Sequence, residues 1–499
     1  MPLPENGAAW PPPQWAPYYA GMRLDDAWYS GDRKRLAHVY GHGHRAERRR
    51  GLRGLWSRRS PTQHGRRDHR LHIPLPGDIA ATSAALLFAD MPRITVTNTA
   101  AQERLDEQLD AGRVHQTLMG AAEQAAALGG IYLRVAWDRE LAERPLLSAM
   151  QPDQAVPEFR HGMLSAVTFW RELSGSIEGG TVWRHLEQHE PGLIRHALYQ
   201  GTRDNIGRAV PLTEHPDIAS IAPTVDKDGA TATLIRGLTA AYVPNMTPHR
   251  LHRGSPVGRS DYAAPIYDMF DSLDETWTSW MRDLRLARSR LIVPDGYLRN
   301  NGPGAGADFD EERELWQTLK IPPNEQGAAS ITVNQFAIRV EEHKATAEAI
   351  TRQAAQAAGY SPQSFGLETD GAPVTATEVD SKDARSDVTR KAKTGHWRHG
   401  LGDILHAYMQ VDVVHFGSKA TPERPRVEFR GATESAQQQA TTLELLARAG
   451  AVSTKTKVKL LNPEWDDADV KAEVVAILRE TGAGAPDPGD PGGTYPLAA

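Results

Sequence analysis

The chain has no cysteine among its 499 residues. That absence excludes disulfides, thiol catalysis and cysteine-ligated zinc or iron–sulfur centres, and it fits a reducing compartment. Long apolar runs are missing too: the greasiest stretch, Ile79 to Ala89, is roughly half of the about 20 residues that a membrane span needs. Residues 1–20 hold prolines and aromatics without a basic start followed by an apolar run, so the chain reads as soluble and free of a signal peptide. No phosphate loop is present. "GSPVGRS", residues 254–260, is one residue short of the nucleotide-binding spacing and has Arg259 where a lysine would reach the terminal phosphates. "GHGH" at 41–44, with His64, His69 and His72, lacks a fixed carboxylate partner and reads as solvated histidines in a basic loop rather than a metal site, and the "HRLH" pair His249 and His252 is equally unspecific. The acidic clusters "DFDEERE" (308–314) and "PEWDDAD" (463–469) fall at helix starts, where acids favour the helix dipole. No serine–histidine–aspartate set stands out, so the sequence points to no enzyme, no metal and no cofactor.

What is present is enough apolar sequence, 40%, for real cores, and a length that suits about two to four domains. The net charge of −6 is unevenly placed. Residues 33–70 carry thirteen Arg or Lys against Glu47 and Asp68, a local charge of +11 that leaves −17 for the remainder. Arg45, Arg48, Arg49, Arg50, Arg53, Arg58 and Arg59 form a candidate polyanion-binding arm. Phosphate contact is one reading, with Trp56 available for stacking; an exposed arm meeting acidic protein surface, or merely solvated, is the other. Five glycines, at 41, 43, 51, 54 and 65, break the segment into a predicted loop.

A Pro-rich leader (1–17) precedes a predicted helix at 25–40. Then come a helix at 79–88, a strand at 93–97, and a helical stretch at 101–128 interrupted at Gly112. "IYLRVAWD" alternates apolar and polar residues as a strand does, and strand-like runs recur at 163–170, 181–186, 193–199 and 231–238. This is an α+β region with antiparallel pairing. At Ser260 the pattern changes: Ser260 reads as a helix cap and Asp261 as a first-turn acid. Ile266, Phe270, Leu273, Trp277, Trp280, Leu284, Ala287 and Leu291 then recur in alternating steps of four and three, a seam that suits a helix packed along another helix. A short helix near 311–319, a strand in "SITVNQFAIRV", and a helix at 344–358 follow. "RPRVEFR" reads as a further strand, two helices are predicted at 433–448 and 466–480, and the Gly/Pro-rich tail from 482 reads as disordered.

"DGAPVTATEVDSKDARSDVTRKAK", residues 370–393, is a helix start with little apolar surface. Thr375 and Glu378 match a capping box, and Glu378–Lys382 and Asp387–Lys391 are oppositely charged pairs in the favourable order. The apolar positions Ala376, Val379, Ala384, Val388 and Ala392 are small. From Trp397 a broad stripe appears, with Leu401, Ile404, Leu405 and Tyr408.

The order of these parts resembles the portal, or head-to-tail connector, proteins of tailed bacteriophages of the long-tailed type. The carrying motifs are "GRSD" opening a helix, "AGYSPQSFG" before the "TATEV" helix, and "LLFADMPRI". The likeness covers roughly residues 75–480 and leaves the basic segment outside it. It implies a portal-like α+β fold: a leader and arm at 1–74, an α+β wing at 75–258 and a two-helix stem at 259–291 and 343–358. A small α/β clip at 292–342, a tunnel loop at 359–375 and a long helix returning to the wing at 376–432 complete it, with a helical crown at 433–481. Stem packing would fall on Ile266, Phe270, Leu273, Trp277, Trp280 and Leu284, and the DNA channel on Glu368, Thr369, Asp370, Gly371, Ala372, Pro373 and Val374. The resemblance further implies twelve subunits in the virion at one capsid vertex, assembled in the bacterial cytoplasm. Implied partners are double-stranded DNA, the terminase large subunit, a head–tail adaptor, and the major capsid and scaffolding proteins. The competing readings are a DNA-processing enzyme and a nucleic-acid-binding protein built on residues 33–70.

Overall fold

In the computed structural model the described residues are 3–45, 70–176, 180–263, 266–286, 290–292, 299–300, 307–308, 332–334, 338–367, 376–429, 443–445, 447–449, 452–461 and 467–480. The chain divides into two units, 1–429 and 430–499.

The leader is ordered as a strap. Gly7 N donates to Gly207 O (2.7 Å), Trp10 N to Asp204 O (3.1 Å), and Ile206 N to Ala8 O (2.9 Å). Trp10 is buried edge-on against Trp170, with Leu3, Ala8 and Trp15 around it. Helices α1 (Ala16–Ser30) and α2 (Arg33–Arg45) follow. They replace the single helix predicted at 25–40: Asp32 accepts hydrogen bonds from Lys34 N and Arg35 N and starts a new helix. The first part of the predicted loop is helical, because α2 carries Gly41 and Gly43 on to Arg45; residues 46–69 lie outside the described residues. Next come α3 (Leu75–Phe88), β1 (Arg93–Thr95), α4 (Thr99–Ala111), α5 (Val114–Leu128) and β2 (Gly130–Ala136). Asn98 caps α4 through Ala101 N at 3.0 Å, and the predicted break falls at Gly112 and Arg113.

Strand β3 (Leu146–Met150) pairs with β2, and β4 (Ala155–Arg160), β5 (Met163–Glu172), β6 (Val182–Glu190), β7 (Leu193–Thr202) and β8 (Asn205–Val210) form an antiparallel meander. The β4–β5 turn has positive φ at both His161 (51°) and Gly162 (81°), the hairpin geometry that matches strand twist. Strand β9 (Ala230–Ala232) pairs with β7. The predicted strand 231–238 ends early, since Leu234 has φ 58° and Thr233 turns its hydroxyl onto Ile235 N. Strand β10 (Ala240–Pro244) joins β2, giving the order β10-β2-β3.

Helix α6 spans Ile266–Leu286. It starts six residues after the predicted cap, and Leu291 of the predicted seam lies in β11 (Arg290–Ile292) instead. Two short strands, β12 (Arg299–Asn300) and β13 (Ala307–Asp308), pair with each other; β14 (Thr332–Asn334) pairs with β11. The helix predicted near 311–319 lies outside the described residues. Only residues 332–334 of "SITVNQFAIRV" are described as strand, and Val340 already opens α7 (Val340–Ala358). Helix α8 runs from Ala376 to Phe416, and β15 (Arg426–Glu428) returns to β1. The main core joins α3, α4, α5, β2 and β10 to the second half of α8; a second core joins α1, α3 and α5 to α6, α7 and Tyr360.

In the second unit α9 (Thr454–Leu461), not foreseen from the sequence, packs on α10 (Asp467–Glu480), with Val458 and Val470 buried. Residues 433–442 and 481 of the predicted crown and the tail 482–499 lie outside the described residues.

Candidate functional site

Residues 368–375, which hold the candidate channel residues Glu368, Thr369, Asp370, Gly371, Ala372, Pro373 and Val374, lie outside the described residues. Both roots of the segment are described, and they are clamped together. Helix α7 ends at Gly359 in a left-handed conformation (φ 97°). A Cβ there would stand 2.8 Å from Thr389 Oγ1, so only glycine fits while Thr389 Oγ1 donates to Gly359 O at 2.6 Å. One turn earlier on α8, Ser386 Oγ accepts from Ser361 N (2.8 Å) and lies 3.1 Å from Ser364 Oγ. One turn later, Lys393 Nζ donates to Asp261 Oδ2 (2.6 Å), Ser83 Oγ (2.7 Å) and Tyr360 Oη (2.9 Å). Tyr360 Oη in turn donates to Asp261 Oδ2 at 2.7 Å, and Asn245 Nδ2 donates to Asp261 Oδ1 at 2.9 Å.

Lys393 and Asp261 are each almost fully buried. Burial pulls the ammonium of Lys393 below its ordinary value, and the Asp261 carboxylate opposes that pull. Both carboxylate oxygens of Asp261 and all three donors of Lys393 find partners, so the buried charges are compensated. Asp261 is therefore not a first-turn acid, and Ser260 does not cap α6. The "GRSD" phrase supplies a buried anchor that ties the lead-in of α6 to α7's end and to α8.

The first half of α8 is turned the opposite way from an amphipathic helix. Ser386, Thr389 and Lys393 are buried, while Ala384, Val388 and Ala392 are exposed, Val388 by 66%. Lys391 pairs with Asp387 at 2.6 Å on the surface. The sequence did contain the signal. Positions 386, 389, 393, 397, 401 and 404 continue one helical face in steps of three and four, and only the chemistry of that face changes at Trp397.

The seam residues of α6 divide in the same way. Ile266, Phe270 and Leu273 are buried against Trp28, Tyr262 and Ala347; Trp277 is partly buried beside them. The half-buried Trp280 lies parallel to the His343 ring of α7 (centroids 5.9 Å, 8°), and Leu284 is 39% exposed. There Asp283 accepts from Arg339 (2.9 Å) and meets His343 Nε2 at 3.0 Å, and these contacts hold its carboxyl below the usual range. Of the arm, Arg45 ends α2, and Arg48, Arg49, Arg50, Arg53, Arg58 and Arg59 lie outside the described residues.

Next to this node Asp25 of α1 is buried, with Tyr267 Oη donating to its Oδ1 at 2.6 Å. Desolvation raises its pKa from 3.8 to about 7; the Asp261 carboxylate adds to the rise, against hydrogen bonds from Tyr267 and Ser260. The folded value exceeds the unfolded one, so the stability that Asp25 adds is fully present below 3.8 and is lost as pH rises through about 7. Asp25→Asn keeps an acceptor for Tyr267 and is expected to remove this component, about 1.4 kcal/mol per pKa unit. Thermal melts of wild type and variant at pH 4 and pH 8 check it: an unchanged difference between the two proteins across that range refutes it.

Among the described residues no helix is long and apolar enough to cross a membrane, and no His, Cys, Asp or Glu group has metal-binding geometry. The family model described as phage portal protein, SPP1 Gp6-like, matches residues 19–486, and the chain belongs to that family. Proteins of this family are structural, non-enzymatic components of the capsid, so the role is that of a portal in the virion. Among solved structures, the chain is similar to one in the neck of an empty GTA particle: 15% identity, TM-score 0.41, 78% of this chain and 90% of that one covered. It is also similar to one in the virion of a native gene transfer agent particle, with 14% identity, TM-score 0.41, and 79% and 94% covered. No curated protein matches the chain.

Proposed function

We propose that this portal protein forms a ring, twelve copies in the virion, at one capsid vertex, and that double-stranded DNA enters and leaves through the ring. In this reading residues 75–258 are the wing, and α6 and α7 are the stem. Residues 292–342 form a clip that docks the terminase large subunit during packaging and a head–tail adaptor afterwards. Residues 433–481 form a crown toward the capsid interior, and the major capsid and scaffolding proteins surround the ring.

One observation carries the proposal. The two roots of residues 368–375 are clamped to each other and, through Asp261, to the stem. The loop so presented holds Glu368 and Asp370 without a lysine or arginine. A wall that passes DNA without retaining it is neutral or acidic, because each phosphate–cation contact adds affinity and therefore friction.

The test is the double replacement Glu368→Lys and Asp370→Lys. Rings still assemble, as seen by electron microscopy of the purified protein, while DNA packaged per particle falls by about tenfold or more. Normal packaging by that variant removes the loop from the channel wall. A wild-type chain that stays monomeric at all concentrations removes the ring itself.

A further inference from the structure

The loop between β10 and α6 is held more rigidly than its sequence suggests. Arg259 N donates to Met246 O at 2.8 Å and Asn245 Nδ2 to Arg259 O at 3.1 Å, closing its base. Within it, His252 N donates to His249 Nδ1 (3.2 Å), and both imidazoles pack on Tyr18 of α1, with ring centroids 4.0 Å away for His252 and 6.0 Å for His249. Thr247 Oγ1 lies 3.3 Å from His396 Nε2 on α8, tying the loop to a second helix. His249 and His252, unspecific as a metal motif in the sequence, are thus the loop's internal frame.

What the frame presents is cationic. Residues 249–259 contain three arginines and no acid. Arg250 and Arg253 are exposed, and Leu251 between them is 75% exposed. Among the described residues none of the three arginines has an ion-pair partner, and the buried Nε of Arg259 has no hydrogen-bond acceptor. The nearby carboxylate of Asp261 does not serve, since Asn245, Tyr360 and Lys393 already engage both its oxygens. Burial and the neighbouring Arg250 lower the basicity of Arg259, and the Asp261 carboxylate partly opposes them.

We infer that this loop is a docking knob for an acidic surface with an apolar hollow on a second copy of the chain. An exposed leucine between two arginines suits a protein interface, where arginine is enriched and apolar contact is buried at the core of the patch. A phosphodiester backbone would reward the arginines and leave the leucine in water. A closed ring joins unlike patches of identical subunits, so each knob needs a complementary site on its neighbour. Outside residues 33–70 the chain carries a net −17, so acids outnumber bases over the rest of each copy. The inference rests on the ring of the proposed function; it adds which surface closes that ring.

The experiment uses the full-length protein. Arg250→Glu with Arg253→Glu is expected to fold, both side chains being exposed, and to lower the ring fraction at least about tenfold in native mass spectra. In a second arm, Arg250→Lys with Arg253→Lys is assembled from mixed light and heavy nitrogen-labelled subunits and treated with a zero-length amine–carboxylate coupling reagent. Mixed-isotope links from residue 250 or 253 to an aspartate or glutamate are the expected result. Full assembly of the glutamate variant, or only same-subunit links, overturns the inference. If the glutamate variant assembles normally and instead loses DNA affinity, the knob is a nucleic-acid contact and the inference fails likewise. Should the glutamate variant not fold, the coupling arm decides. A wild-type chain that never forms rings defeats the portal proposal itself, whereas rings without these links defeat only the knob.

Discussion

Lys393→Met is expected to lower the free energy of unfolding by about 3–5 kcal/mol, the usual cost of removing one partner of a buried ion pair. The reason lies in what remains. Asp261 is almost fully buried and would keep hydrogen bonds only from Asn245 and Tyr360, so its charge would sit in a low-dielectric site without a hydrogen-bonded cation. Asp261→Asn in the same chain removes that charge. The double variant is expected to recover most of the loss, as neutral replacements of whole buried pairs generally do. Denaturant unfolding of the wild type, both single variants and the double variant gives the coupling directly. A loss below about 1 kcal/mol for Lys393→Met would mean that Asp261 is hydrated, and the clamp as described would not exist. Hydrogen exchange supplies an independent reading: amides at 359–364, held through Tyr360, Ser386 and Thr389, should open faster in the single lysine variant.

Trp397→Ala carries a comparable expected cost, about 3–5 kcal/mol, for a different reason. Trp397 is 1% exposed and stands edge-on to Phe88, with ring centroids 4.8 Å apart, in the core that also takes Leu401, Ile404 and Leu405. Truncation leaves a cavity that α3 and α8 cannot close without moving. Val388→Ala, nine residues earlier on the same helix and 66% exposed, is expected to change stability by no more than about 0.5 kcal/mol in an isolated subunit. Equal losses for the two variants would contradict the division of α8 into a polar-clamped half and an apolar-anchored half. Unfolding at subunit concentrations below ring assembly is the appropriate measurement, because association adds stability of its own.

Elements whose signal is local were legible in the sequence. The break between α4 and α5 at Gly112, the alternation of β2, and the strands at 163–172 and 193–202 follow from period and turn residues alone. The buried part of the α6 seam, Ile266 to Trp277, was legible. The turn out of the helix was not, and Leu291 was counted in a helix although it pairs with Val333 across β11 and β14. The clamp was missed for a reason of distance. Asp261 and Lys393 are 132 positions apart, and a charged residue in a polar-looking helix gives no sign of being buried until its partner is known. Ser260 and Asp261 fit the local rule for a helix start, and that rule lost to a tertiary contact. The phrases "GRSD" and "AGYSPQSFG" carry the family likeness in the sequence; their meeting around Lys393 appears only in three dimensions.

The strap formed by residues 3–10 has a consequence in time. It closes the β8 edge through Gly7 and Gly207, contacts made 200 positions apart. Synthesis at 5–20 residues per second leaves a wait of roughly 10–40 s between the emergence of one partner and the other. Until β5 and β6 emerge, Trp10 lacks the Trp170 and Leu186 side chains it packs on, whereas the β8 edge, once made, meets a strap that already exists. A nascent subunit is therefore finished by its own beginning.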